Sequence, residues 1–107
     1  MISRIWRGWT TPQNADAYEN LLRSEIFPGI VERRIDGFRR IELYRAPAGD
    51  EVEFVTLMWF DSMDAIKAFA GADCETAVVP PKARAVLKRF EPRSQHYEVR
   101  EARDAAR

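Results

Sequence analysis

His96 is the single histidine of the chain, and its ordinary pKa near neutrality makes it the first candidate for moving a proton at physiological pH. It lies in Ser94 to Arg100, where Tyr97 and Val99 alternate with His96 and Glu98. The same spacing suits a histidine at a strand edge, bonded to Glu98 or to backbone. Arg4 and Arg7 are charges inside an otherwise apolar opening segment. Burying either one unpaired is costly, so each needs a carboxylate, a substrate anion or the sheet edge. Trp6, Trp59, Tyr18 and Phe69, with Trp9 and Phe90, supply enough aromatic surface to line a flat pocket, or to fill a core or a dimer interface. Trp6 and Trp9 have opposite parity on one strand, so at most one of them faces a pocket.

Other chemistry is excluded by count. One cysteine, Cys74, rules out an intramolecular disulfide and a thiolate cluster, and one histidine rules out two- and three-His metal sites. Cys74 has no histidine near it in sequence and reads as an inert thiol rather than a nucleophile. Glu42, Glu53 and Glu98 fall on strands, but their spacing demands no paired-carboxylate site. There is no Walker loop, no G-x-G-x-x-G and no zinc spacing. No metal and no cofactor is expected. The 17 Lys+Arg balance 17 Asp+Glu, which removes the basic field that nucleic-acid binding needs. The balance is not local: residues 1–45 carry 8 basic and 6 acidic groups, 46–79 carry 1 and 7, and 80–107 carry 8 and 4. The alternatives are an acidic solvent face, or opposite patches that meet in a symmetric dimer. The amino terminus has no signal-peptide pattern, and no apolar run is long enough to cross a bilayer, so a soluble cytoplasmic protein is expected.

The elements that must position these residues follow from periodicity. Ile2 to Thr10 reads as a strand. Thr11-Pro12 caps an amphipathic helix with Ala15, Tyr18, Leu21, Leu22 and Ile26 on one stripe, ended by Phe27-Pro28-Gly29. Phe38 to Arg45 alternates as a strand, with Phe38, Arg40, Glu42 and Tyr44 sharing a face. Residues 46–50 form a hairpin loop, and Glu51 to Phe60 is the return strand. Asp61-Ser62 caps a short helix that carries Ala65, Ile66 and Phe69 and closes at Gly71. Pro80-Pro81 opens a third helix with Ala83, Val86, Leu87 and Phe90 facing inward, ended by Glu91-Pro92, and a last strand follows. The order predicts an α+β fold: the split β-α-β antiparallel sheet of a ferredoxin-like domain over residues 1–100, with 101–107 as a flexible tail. Both faces of Glu51 to Phe60 are apolar beyond Glu53, yet a chain of 107 residues holds helices for one face only. A homodimer is the expected cover for the other.

Three stretches carry a resemblance: Ile2-Ser-Arg-Ile-Trp-Arg-Gly-Trp-Thr, Phe60-Asp-Ser-Met-Asp-Ala-Ile-Lys-Ala-Phe-Ala-Gly, and Phe90-Glu-Pro-Arg-Ser-Gln-His-Tyr-Glu-Val. With them the chain resembles the antibiotic-biosynthesis-monooxygenase-like branch of the dimeric α+β barrels over about residues 1–100. The resemblance implies a homodimer of packed sheets, with a pocket between sheet and helices in each protomer. It also implies one of a few activities, among them oxidation of phenols to quinones by O₂ without metal or flavin. Haem-degrading relatives use a first-strand Asn and a later His. Here that strand has no Asn and the later position falls near Val79, which argues against such a role. The oxygenases use Asn, Trp, Arg and Tyr around the substrate; here Trp59, arginines and tyrosines would stand in. Relatives with this opening often read Ile-Trp-His-Gly, so Arg7 replaces a second base with an anion clamp, or with a structural ion pair. On this reading a small aromatic or quinone-type molecule is the substrate. His96 is the base that deprotonates a phenol, Arg7 the anion stabiliser, and Trp6, Trp59, Tyr18 and Phe69 the walls. The alternatives are a non-catalytic binding dimer and a structural dimer with no pocket.

Overall fold

The computed structural model describes residues 1–106. Strand β1 (Ile2–Thr10) leads through a single 3₁₀ turn (Pro12–Asn14) into α1 (Ala15–Leu21), a π-helical segment (Leu22–Ile26) and α2 (Phe27–Glu32). Then follow β2 (Phe38–Ala48), β3 (Glu51–Phe60), α3 (Met63–Ala70), α4 (Pro81–Val86), β4 (Arg89–Phe90) and β5 (Gln95–Glu98). The antiparallel sheet has the order β2-β3-β1-β4, with β5 also on β1, so β1 and β3 are central. This is the predicted α+β, ferredoxin-like arrangement with all helices on one face. Residues 101–106 are neither helix nor strand, and Arg107 lies outside the described residues.

Period-2 alternation sorts the two central strands. Val52, Phe54, Thr56, Met58 and Phe60 point to the helices, where Phe54 and Phe60 are fully buried and Met58 nearly so. One cluster packs Phe54 with Ala15, Tyr18, Leu22 and Ala83. A second packs Met58 and Phe60 with Ala65, Ile66 and Phe69. Losing a ring such as Phe60 from this layer costs about 3–5 kcal/mol. The opposite face, with Ile5, Trp9, Val55, Leu57 and Trp59, has no helix against it among the described residues and stays partly exposed.

Several expected boundaries differ. The first helix does not end at Phe27-Pro28-Gly29 but continues to Glu32. The π segment makes this possible: Phe27 N–H bonds to Leu22 O, one residue further back than in an α-helix. Pro28 then occupies the first turn of α2, where a missing N–H does no harm. The β2 alternation is broken by a register shift between Phe38 and Arg40, so Phe38 joins Ile41 on the helix side instead of sharing a face with Arg40. The hairpin loop shrinks to Gly49-Asp50, with Ala48 paired to Glu51 and Gly49 at φ +63°. Pro47 fits because β2 is an edge strand. The third helix stops at Val86 rather than Phe90: Leu87 is extended, and Arg89 and Phe90 already pair with Trp9 and Gly8.

The acidic stretch 46–79 is largely neutralised within the chain. Glu51 pairs with Lys88 and Arg89, Glu53 with Arg7, Asp61 with Arg39, and Asp73 and Glu75 with Arg93. Arg89 and then Lys88 hold the Glu51 carboxyl at a pKa of about 2.

Candidate functional site

A cavity of about 60 Å³ lies between the sheet and the helices. Its floor is the helix-facing parity of the central strands: Arg4 and Trp6 from β1, Thr56 and Met58 from β3. Its roof is Tyr18 of α1, Leu22 and Ile26 of the π segment, and Phe27 and Ile30 of α2. Phe69 of α3 and residues 78–80 close the sides. At roughly 10–15 Å³ for each water-sized position, this half-open volume holds a handful of heavy atoms, close to one small ring.

Trp6 is fixed in the floor from two directions. Its Nε1 donates to Glu91 O at 2.6 Å, and its ring leans on Phe90 with centroids 5.9 Å apart. Gly8 leaves room for it: a Cβ there would stand 3.2 Å from Trp6 Cη2 and 3.0 Å from Leu87 Cδ2. Tyr18 is buried, edge-on to Phe54 at 4.9 Å, and burial raises its pKa, so the phenol stays protonated.

Arg4 is the one charged residue among the described residues of the cavity wall, and it is only 3% exposed. Among the described residues no carboxylate stands within ion-pair distance of it. Its Nη1 donates to Cys74 O and, at 2.8 Å, to His96 Nε2, and its Nη2 donates to Thr76 O at 3.1 Å. Its guanidinium carbon lies 5.6 Å from the centre of the Phe69 ring. The edge strand explains how these acceptors come to be there. Glu91 N–H bonds to Arg7 O, and from Pro92 the chain between β4 and β5 turns its backbone outward and pairs with the segment after α3. Thr76 bridges Arg93, Ala77 N–H bonds to Pro92 O, and Ser94 N–H bonds to Glu75 O at 2.6 Å. That detour carries the Cys74 and Thr76 carbonyls over the guanidinium.

His96 sits on β5 directly across from Arg4. A guanidinium can only donate, so Nε2 is the accepting nitrogen and the neutral ring carries its proton on Nδ1. Desolvation, and then the Arg4 charge, lower the His96 pKa below its usual 6.5. The histidine therefore does not line the cavity as a free base; it stands behind Arg4 with its lone pair engaged. Arg7 and Trp59 are not at the cavity either, because their strand parity turns them to the open face. Arg7 lies 3.6 Å from Glu53 and 3.7 Å from Glu91, which is the ion pair that was the alternative to an anion clamp. Trp59 lies under Arg40, whose guanidinium carbon is 5.8 Å from the ring centre. Trp6, Tyr18 and Phe69 do meet around the cavity. Of the two first-strand arginines the sequence favours Arg7 as the anion clamp, whereas Arg4, on Trp6's parity, is the one that lines the cavity.

Among the described residues no three His, Cys, Asp or Glu side chains converge as a metal site, and no helix is long and apolar enough to cross a membrane. No family model matches the chain, and no curated protein matches it. Solved structures do share its fold. A candidate antibiotic biosynthesis monooxygenase from Bacillus cereus superposes with a TM-score of 0.67 at 14% identity, covering 97% of each chain. A second candidate monooxygenase of that kind, from Deinococcus radiodurans, gives 0.65 at 13% identity over 99% of each chain. A Streptomyces coelicolor monooxygenase, solved in complex with nanaomycin D, gives 0.64 at 16% identity, covering 98% of this chain and 92% of the other. At such identities the likeness concerns the fold.

Proposed function

We propose that the chain is a monooxygenase-like enzyme that holds a small electron-rich aromatic molecule between the sheet and the helices. The observation that carries this reading is the cavity walled by Trp6, Tyr18 and Phe69, with one buried cation, Arg4, and no carboxylate among the described residues of its wall. Aromatic walls select a flat ring, and a buried guanidinium offsets negative charge on it. The reaction we assign is ring oxygenation of a phenol by O₂. One oxygen atom becomes the second carbonyl of a quinone and the other leaves as water. The phenol supplies all the reducing electrons, so no further reductant enters the balance. His96 is not assigned as the base in this scheme, because its Nε2 accepts from Arg4.

The fold likeness to monooxygenases, one of them in complex with nanaomycin D, supports the reading only as analogy. The engaged lone pair of His96 favours a second reading, in which the same cavity binds an aromatic molecule without turning it over. Oxygen uptake with a panel of one-ring hydroquinones and phenols separates the two. Catalysed uptake with quinone formation supports the enzyme. Binding of the same compounds without uptake leaves the binder.

We also propose that a second copy of the chain covers the open sheet face. Ile5, Val55, Leu57 and Trp59 lie on this face, and among the described residues no helix of the protomer reaches it.

A further inference from the structure

We propose that the cavity selects aromatic carboxylates of about one ring, with the carboxylate held side-on by Arg4 and the ring lying against Phe69 and Trp6. The inference deepens the reading above and rests on it for an aromatic occupant; what it adds is the anionic head group.

A guanidinium has five N–H donors. Arg4 commits two from Nη1, to Cys74 O and His96 Nε2, and one from Nη2, to Thr76 O. Among the described residues, the donors left over are Nε–H and one N–H of Nη2. Those two nitrogens form the side-on fork that grips a carboxylate elsewhere in this chain. Arg39 uses Nε and Nη2 on the two oxygens of Asp61, and Arg89 uses Nε and Nη2 on the two oxygens of Glu51, at 3.2 and 2.9 Å. At Arg4 the same fork has no carboxylate, although the residue is almost wholly buried and lines the cavity. Its protein acceptors are two carbonyls and a neutral ring nitrogen, which satisfy hydrogen bonds but leave the positive charge uncompensated. The remaining wall is apolar apart from hydroxyls, including those of Tyr18, Thr56 and Ser94, and none of these carries charge. An anion that brings its own planar pair of oxygens meets both needs at once. The volume of about 60 Å³ matches an apolar part of about one ring. His96 contributes as a positioning residue: by accepting from Nη1 it sets the rotation of the guanidinium and keeps a second positive charge away from it.

The test uses benzoate and its neutral isostere benzamide, titrated into the protein at pH 7 by calorimetry. The indole N–H signals of Trp6, Trp9 and Trp59 are followed by NMR in the same titration. Benzoate is expected to bind at least about 10-fold tighter than benzamide, as charge-assisted forks outbind neutral amide contacts. The Trp6 signal should move while those of Trp9 and Trp59, on the open face, stay still. Arg4→Gln should bring the two affinities together, and Arg4→Lys should restore only part of the preference, since an ammonium offers no fork. Equal affinities in the native protein overturn the proposal, as does a benzoate preference that survives in Arg4→Gln. Shifts confined to Trp9 and Trp59 overturn it too. Should Arg4→Gln not fold, the native preference and the location of the shifts still decide. Failure of the enzyme reading looks different: hydroxybenzoates would bind with the same preference and move Trp6, yet consume no oxygen.

Discussion

Nη1 of Arg4 lies 2.8 Å from Nε2 of His96, so a buried cation and the chain's one histidine share a single proton-bearing contact. The contact exists only while the imidazole is neutral. Protonating His96 removes the acceptor and sets two positive charges side by side. Its folded-state pKa is lowered, first by desolvation and then by Arg4, so the unfolded chain holds this proton more tightly than the folded one. Stability therefore increases with pH through this group, and its contribution is lost as pH falls from above 6.5 toward the lower folded value. Melting temperatures from pH 8 to 5 should fall more steeply for the native protein than for His96→Gln, whose amide oxygen accepts from Arg4 without titrating. Parallel curves would contradict the coupling.

The same contact decides the catalytic role of His96. With Nε2 accepting from Arg4 and the proton on Nδ1, the ring has no free lone pair to offer a phenol. His96→Gln should keep oxygen uptake within about 10-fold of the native rate at pH 7.5, well inside the roughly 10²–10⁴-fold that a general base contributes. Loss of more than 100-fold, with Trp6 NMR signals unchanged, would return the histidine to the role of base.

Gly8 gives a prediction about packing. A methyl group there would press on Leu87 Cδ2 at 3.0 Å and Trp6 Cη2 at 3.2 Å, and Trp6 is tied to Glu91 O so it cannot swing away freely. Gly8→Ala should cost about 1–3 kcal/mol in urea unfolding, the usual range for overpacking. It should also shift the Trp6 indole signal while leaving Trp59 alone. A neutral substitution with an unmoved Trp6 would mean the floor is looser than these distances imply.

The alternation of β3 and the capping of α3 by Ser62, whose hydroxyl accepts from Ala65 N–H at 3.2 Å, are legible because a single local rule produces each. The bulge between Phe38 and Arg40 is not legible, since any strand residue can be the extra one. Pro28 signals an ending, and only the π turn before it lets the helix continue. Which of Arg4 and Arg7 reaches the cavity is not legible for a related reason. Opposite parity is plain in the sequence, but both faces of the neighbouring β3 are apolar, so the pattern cannot say which face the helices take. That choice is made by where Tyr18, Leu22 and Phe69 come to lie, a tertiary outcome. The carbonyls that hold Arg4 come from a segment about 70 residues away, brought there by the break at Pro92, and no local pattern announces them.

The two sheet faces make opposite predictions when each receives a charge. Val55 points to the open face beside Arg7 and Tyr44, whereas its neighbour Thr56 points into the cavity beside Trp6. Light scattering of the native protein should give about twice the 12.4 kDa of one chain. Val55→Glu puts a carboxylate next to Arg7, which a lone protomer tolerates, but buries it where a second sheet would pack. It should yield a folded species near the mass of one chain. Thr56→Glu places the new charge on the helix side, so it should lower stability and leave the dimer mass unchanged. A native protein that scatters as a single chain at micromolar concentration would remove the second copy from the open face. The partly exposed Ile5, Leu57 and Trp59 would then be left facing water.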